Sequence, residues 1–251
     1  MALIEASNLT KRFGGILALD EVSIAVEAGE VVGLVGPNGA GKTTLFDCLN
    51  GVRHFDSGQL CFGGRRIDTL PAYKRARLGI GRTFQRLELF AGMSAREHLM
   101  VAERVHRGDG RLWKDLCFRS KAKEPVARVE ELLGDLGLSD VADDPIESLS
   151  QGHGRLVELG RALVQDPLLV LLDEPSSGLD TKETGEFAEV LLTLRRRRAT
   201  AVLLVEHDLE LVRSVVERIY VLDFGKLIAA GPVDAVLSDA AVRRAYLGDS
   251  P

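Results

Sequence analysis

The sequence predicts an α/β fold: a parallel sheet flanked by helices, with an antiparallel β subdomain and an inserted α-helical subdomain. Three observations carry this. Apolar runs that read as buried strands, "VVGLVG", "LLVLLD", "AVLLVE" and "IYVLD", alternate with helical patterns, as expected of a parallel sheet covered on both faces. Further β-rich runs crowd the first third, and the alternation in "VSIAVE" suits a half-exposed sheet. From about Ala91 to Leu149 the chain turns rich in Ala, Leu, Arg and Glu with helical spacing. Residues 1–251 read as one domain, with the core and β subdomain at about 1–90 and 160–251 and the helical subdomain at about 91–159.

In chain order, "LIEASNL", "VSIAVEAGE" and "QLCFGG" supply the β subdomain. "VVGLV" is a central strand, and "TLFDCLNGV" after it has helical character. "AREHLMVAERV" and "PVARVEELLGDLGL" are amphipathic helices of the inserted part. "LVELGRALVQ" opens a helix at "LSQGHGR" (Leu149–Arg155), and the three later apolar runs complete the parallel sheet. The run "RRRR" (Arg195–Arg198) reads as a solvated helix end, where cations suit the dipole, in preference to a nucleic-acid patch.

Bulk properties narrow the class. Hydrophobic residues make up 45% and charged residues 27% of the 251, and the net charge is −5. That balance offers no basic field for nucleic acid or an anionic membrane. Cys48, Cys61 and Cys117 form no CxxC pair, so neither zinc nor a disulfide framework is indicated, and they read as reduced, cytosolic thiols. The start "MALIEASNLT" is no signal peptide, and no apolar run approaches the roughly 20 residues of a membrane helix. Any membrane role must come through a partner.

"GPNGAGKTT" comprises Gly36, Pro37, Asn38, Gly39, Ala40, Gly41, Lys42, Thr43 and Thr44. It fits GxxxxGK[ST] and sits between a strand and a helix, as a phosphate loop requires. Its glycines let backbone N–H groups turn inward on phosphates, Lys42 adds a point charge, and Thr43 offers a hydroxyl to Mg²⁺. "LLVLLDEP" ends a strand in two acids: Asp173 would complete the Mg²⁺ shell, and Glu174 could orient or deprotonate a water. Gln85 in "TFQ", His207 in "EHD" and Phe13 in "KRFGG" are individually weak, since a strand-end polar residue, a capping histidine or a core aromatic reads as well. Ser150 before a helix can be an N-cap or part of an anion site.

Taken together, "KRFGG", "GPNGAGKTT", "TFQ", "LSQGHGR", "LLVLLDEPSSGLD" and "EHD" occur in an order that resembles the nucleotide-binding subunits of ABC transporters, over nearly the whole chain. The resemblance implies a P-loop NTPase core using ATP and Mg²⁺. It implies that Phe13 stacks on adenine and that Gln85 senses Mg²⁺ and the attacking water, and it places His207 at the γ-phosphate. It further implies that Ser150, Gln151, Gly152 and His153 act in trans on ATP held by a second subunit, and that Asp180 closes a loop crossing the dimer interface. The family more often has Gly or Tyr at Gln151, Gln or Glu at His153, and Gln at Gly154; Ser150 and Gly152 follow the pattern.

Within that family, "GRTFQRLELFAGMSAREHLMVA", "SSGLDTKET", "LLVEHDLELV" and "RRAYLGDS" look like the ATPases of branched-chain amino acid importers. The stretch "ERVHRGDGRLWKDLCFRSKAKE" resembles an insertion of that group. The implied partners are a second ATPase subunit, membrane permeases that seat a short helix near Gln85–Phe90, and, indirectly, a solute-binding protein. The implied location is the cytoplasmic face of the membrane. Related ATPases serve urea, amides or lipopolysaccharide export. DNA-repair relatives carry a coiled coil or zinc insertion, for which the segment from Gln85 to Leu149 lacks the length and the CxxC pair.

Overall fold

The computed structural model describes residues 2–83, 87–106 and 123–247. β1 (Ala2–Phe13) and β2 (Ile16–Glu27) form a long hairpin, extended by β4 (Ser57–Phe62) and β5 (Arg65–Arg66). Among the described residues these make an antiparallel sheet of order β2-β1-β4-β5. The second sheet contains β3 (Val31–Val35), β6 (Ile80–Arg82), β7 (Leu169–Asp173), β8 (Ala201–Val205), β9 (Arg218–Asp223) and β10 (Lys226–Pro232). Its order is β10-β9-β3-β8-β7-β6, parallel except at β9-β10.

The apolar strands are continuous because both sheet faces are buried. Alternate residues feed two cores. Val31, Val35, Val170, Leu172, Val202 and Leu204 face one. Val32, Leu34, Leu169, Leu171, Leu203 and Val205 face the other. The first core is closed by α4 (Lys123–Asp135), α5 (Gln151–Leu163), α6 (Thr181–Arg198) and α7 (Leu209–Val215). The second is closed by the antiparallel sheet and by α1 (Lys42–Asn50). Each fully buried Leu or Val contributes about 1.5–3 kcal/mol. The inserted stretch carries α3 (Ala95–His106), which packs on α4 and α5. Most of the polar insertion noted above, Cys117 included, lies outside the described residues.

Two features were not read from the sequence. β10 follows a turn at Phe224–Gly225 and alternates between exposed and half-buried positions, the pattern of an edge strand. Arg75, on α2 (Ala72–Arg77), is fully buried. It donates to the carbonyls of Cys48 (2.7 Å), Leu49 (2.8 Å), Leu70 (2.7 Å) and Asp68 (3.1 Å). Two of these lie in the last turn of α1, where carbonyls have no intrahelical donor and a cation also meets the dipole. Arg75 thus fixes the helix that begins at Lys42.

The arginine run does end a helix, in the last turn of α6. It is tied down more than a solvated end requires. Arg197 and Arg198 converge on Asp135 of α4 at 2.6 and 2.9 Å, and Arg198 also reaches Asp166 at 3.1 Å. The run therefore clamps α6 to α4.

Candidate functional site

The site forms at the carboxyl ends of the parallel strands, where open α/β sheets leave a crevice. β3 runs straight into the phosphate loop. Gly36 (φ 150°) passes so close to β9 that a Cβ would stand 2.2 Å from the Leu222 carbonyl. Gly41 (φ 105°) caps α1, and a Cβ there would stand 2.5 Å from the Ala18 carbonyl. Only glycine fits either position. The loop therefore wraps tightly, and the first N–H groups of α1, which lack intrahelical acceptors, face its hollow. Lys42 is buried and donates to the carbonyls of Gly36 (2.7 Å) and Pro37 (3.0 Å). Burial pushes its pKa down, opposed by the charges of Glu174 and Asp173.

Beside the loop lies a cavity of ≈ 410 Å³ lined by Asn38 to Thr44, Glu174, Ile16, Leu17, Ala18 and Phe224. Phe13 is not among its walls. Its ring instead faces two cations, Arg53 at 4.8 Å and Lys11 at 5.6 Å. Its cross-strand partner Ile16 does border the cavity, as does Phe224, and both are exposed.

β7 delivers Asp173 buried at its tip. Burial raises the Asp173 pKa; Arg82 opposes this, while Glu174 and Asp47 add to it. Arg82 sits at the end of β6 and donates to Asp47 (2.8 Å) and Asp173 (3.2 Å), joining α1 to β7. Glu174 takes φ 49°, a left-handed conformation that a non-glycine adopts only when its surroundings impose it. Its N–H is held by the Val205 carbonyl of β8 at 2.9 Å. That twist turns its carboxylate to His207, whose Nε2 lies 2.7 Å from Oε1. An ionised Glu174 can only accept, so it selects the His207 tautomer protonated on Nε2.

Magnesium fits this donor set. Asp173 and the Thr43 hydroxyl are hard oxygen ligands, and a divalent cation would relieve a carboxylate driven toward its neutral form by burial. Gln85, the other expected ligand, lies outside the described residues.

The helix start at "LSQGHGR" is a separate feature. Ser150 is the N-cap of α5, its Oγ accepting from the His153 N–H at 3.2 Å. The Gly152 N–H donates to Glu183 Oε1 at 3.0 Å. Gln151 reaches the Ser177 carbonyl at 3.4 Å, and the buried Arg155 reaches it at 3.2 Å. Asp180 is the N-cap of α6 in a reciprocal capping box with Glu183. Glu206, 2 % exposed, accepts from the Ser176 N–H (2.8 Å) on one oxygen and the His207 N–H (3.0 Å) on the other. Burial raises its pKa against those bonds. The loop from Pro175 to Asp180 is thus pinned between α5 and the root of His207.

Leu87 and Leu89, expected beside a partner groove, turn the other way. Both pack on Gly154, where a Cβ would stand 3.4 and 3.6 Å from them. Those are ordinary contact distances, so a Cβ at Gly154, one of the departures from the family pattern, would be accommodated. The nearby groove, ≈ 540 Å³, is instead bordered by Tyr73, Glu88, Phe90, Val101, Val105 and Arg161. Arg82, Arg155, Glu183 and Glu206 all escaped the sequence reading. Only Glu206 left a trace there, an acid directly ending an apolar strand.

The ABC transporter family model matches residues 19–177, and a model for the branched-chain amino acid ATP-binding cassette transporter matches residues 226–250. The chain is 38% identical to the high-affinity branched-chain amino acid transport ATP-binding protein LivG of Salmonella typhimurium over 99% of its own length and 98% of that protein. BraF of Pseudomonas aeruginosa, of the same description, shows the same identity and coverage. The lipopolysaccharide export ATP-binding protein LptB of Haemophilus influenzae is 34% identical, with 99% and 98% covered. The ADP conformation of an ATP-binding cassette superposes with a TM-score of 0.87 at 32% identity, covering 99% of this chain and all of that one.

Proposed function

The chain belongs to the ABC transporter family and is an ATP-hydrolysing cassette; from that premise we propose that it energises uptake of branched-chain amino acids through a membrane importer. The observation that carries the catalytic part is the convergence of Lys42, Asp173, Glu174 and His207 at the ends of β3, β7 and β8. Lys42 and the α1 N-terminus bind the β- and γ-phosphates. Asp173 and Thr43 would hold Mg²⁺, which would neutralise developing phosphate charge. Glu174 takes a proton from the attacking water, and His207 orients its carboxylate and contacts the γ-phosphate. By the family resemblance, Gln85 would sense the attacking water and the metal.

The assembly we infer is a dimer in which Ser150 to His153 of each subunit grip the nucleotide of the other, with Asp180 at the interface. A transmembrane permease would place a short helix in the groove bordered by Phe90 and Val101, which are exposed apolar side chains. No described helix is long and apolar enough to cross a membrane; the likeness to LivG and BraF supports a peripheral position on the cytoplasmic face. The solute rests on the likeness to LivG and BraF. The test is reconstitution with the permeases and binding protein of a branched-chain amino acid importer. ATPase stimulated by leucine, isoleucine or valine supports the reading. Stimulation by urea or amides alone replaces the solute. Co-purification with DNA but no membrane protein overturns the importer.

A further inference from the structure

The donors that a partner's γ-phosphate needs are already engaged within the chain. The Gly152 N–H, at the start of α5, is held by Glu183 Oε1 at 3.0 Å. The Ser150 hydroxyl contributes to the same carboxylate, and the two together draw the Glu183 pKa down. The fit is close: a Cβ on Gly152 would stand 3.0 Å from Glu183 Oε1. Glu183 belongs to the capping box of α6, three residues beyond Asp180, so it sits in the first helical turn directly after the loop assigned to the dimer interface.

We propose that Glu183 is an internal carboxylate stand-in for the γ-phosphate, closing the helix start at Ser150–Gly152 until ATP on a second subunit displaces it. The proposal rests on the trans assignment of Ser150 and Gly152 given above. The physical argument is short. One N–H serves one strong acceptor at a time, and a carboxylate and a phosphate repel when both approach it. Displacement is a rotation of the Glu183 side chain that also gives up its bond from the Asp180 N–H (3.3 Å), while the Asp180 side chain keeps the Glu183 N–H at 2.8 Å. ATP therefore competes with Glu183 for the closed dimer, and Glu183 sets the ATP level at which closure begins. Glu183 touches neither the phosphate loop nor the Glu174–His207 pair, so it acts on assembly and not on binding in cis.

The experiment uses the full chain carrying Glu174→Gln, to suppress turnover, with and without Glu183→Gln. Dimer formation is followed by sedimentation as ATP is raised, and ATP binding is measured at protein concentrations where the chain stays monomeric. Glu183→Gln keeps the side-chain length and removes the charge. The expected result is dimerisation at several-fold lower ATP with unchanged affinity of the monomer. An unchanged or higher ATP requirement overturns the proposal. A gain of this kind cannot arise from misfolding. Ser150→Arg in the same background separates the two readings. If it dimerises like its parent, the trans assignment itself fails. If it does not dimerise and Glu183→Gln has no effect, only the stand-in role fails. As a direct readout, hydrogen exchange at the Gly152 amide without nucleotide should quicken in Glu183→Ala; an unchanged rate removes the contact.

Discussion

His207 Nε2 lies 2.7 Å from Glu174 Oε1, across the tips of two adjacent parallel strands. The pair exists because Glu174 adopts a left-handed backbone, pinned by the Val205 carbonyl. Glu174→Gln keeps the shape but cannot take a proton. ATP hydrolysis should fall by about a hundredfold or more while ATP binding persists. Turnover near that of the parent chain would remove Glu174 from the reaction.

His207→Ala removes the partner that orients this carboxylate. The rate should again drop strongly, and adding it to Glu174→Gln should change little, because the two act as a unit. Additive losses in a double-mutant cycle would show that they work separately.

Lys42→Ala should lower ATP affinity by about tenfold or more, since the principal cation at the β- and γ-phosphates is lost. Ser150→Arg, by contrast, should leave binding to the isolated subunit nearly intact and abolish hydrolysis by the assembled dimer; His153→Gln should be mild. Titration with a fluorescent ATP analogue distinguishes them. Equal loss of affinity in Lys42→Ala and Ser150→Arg means that Ser150 works in cis.

Glu206→Gln tests the buried junction behind the site. A carboxylate can accept from Ser176 on one oxygen and His207 on the other; an amide of the same volume presents N–H to one of them. The turnover rate should fall several-fold with KM for ATP little changed. Parallel loss of affinity, rate and thermal stability would instead mark a general folding defect.

Arg75→Leu addresses stability. It would strand four carbonyls in the interior and uncap α1. The expected loss is about 3 kcal/mol or more, read from urea midpoints at constant slope. A loss under about 1 kcal/mol would mean that water replaces the guanidinium.

The sequence by itself determined the strand-and-helix order, the buried character of β3, β7 and β8, and the phosphate loop. These are local: an apolar run needs only its own residues to declare burial on both faces, and Gly36 and Gly41 announce a turn that no side chain permits. It also marked Asp173 and Glu174 as candidates, since the two acids end an apolar run in a chain that already carries a phosphate loop. Only the tertiary structure decided the rest. Arg82 meets Asp47 and Asp173, and Arg75 meets the end of α1, across separations that no spacing rule spans. The edge strand β10 carries too weak an alternation to stand out alone. Leu87 and Leu89 turn inward onto Gly154, and Phe13 meets Arg53 and Lys11. The contact of Glu183 with Gly152 exists because the starts of α5 and α6 come together in space. Such pairings depend on how the elements pack, and packing is a property of the whole chain.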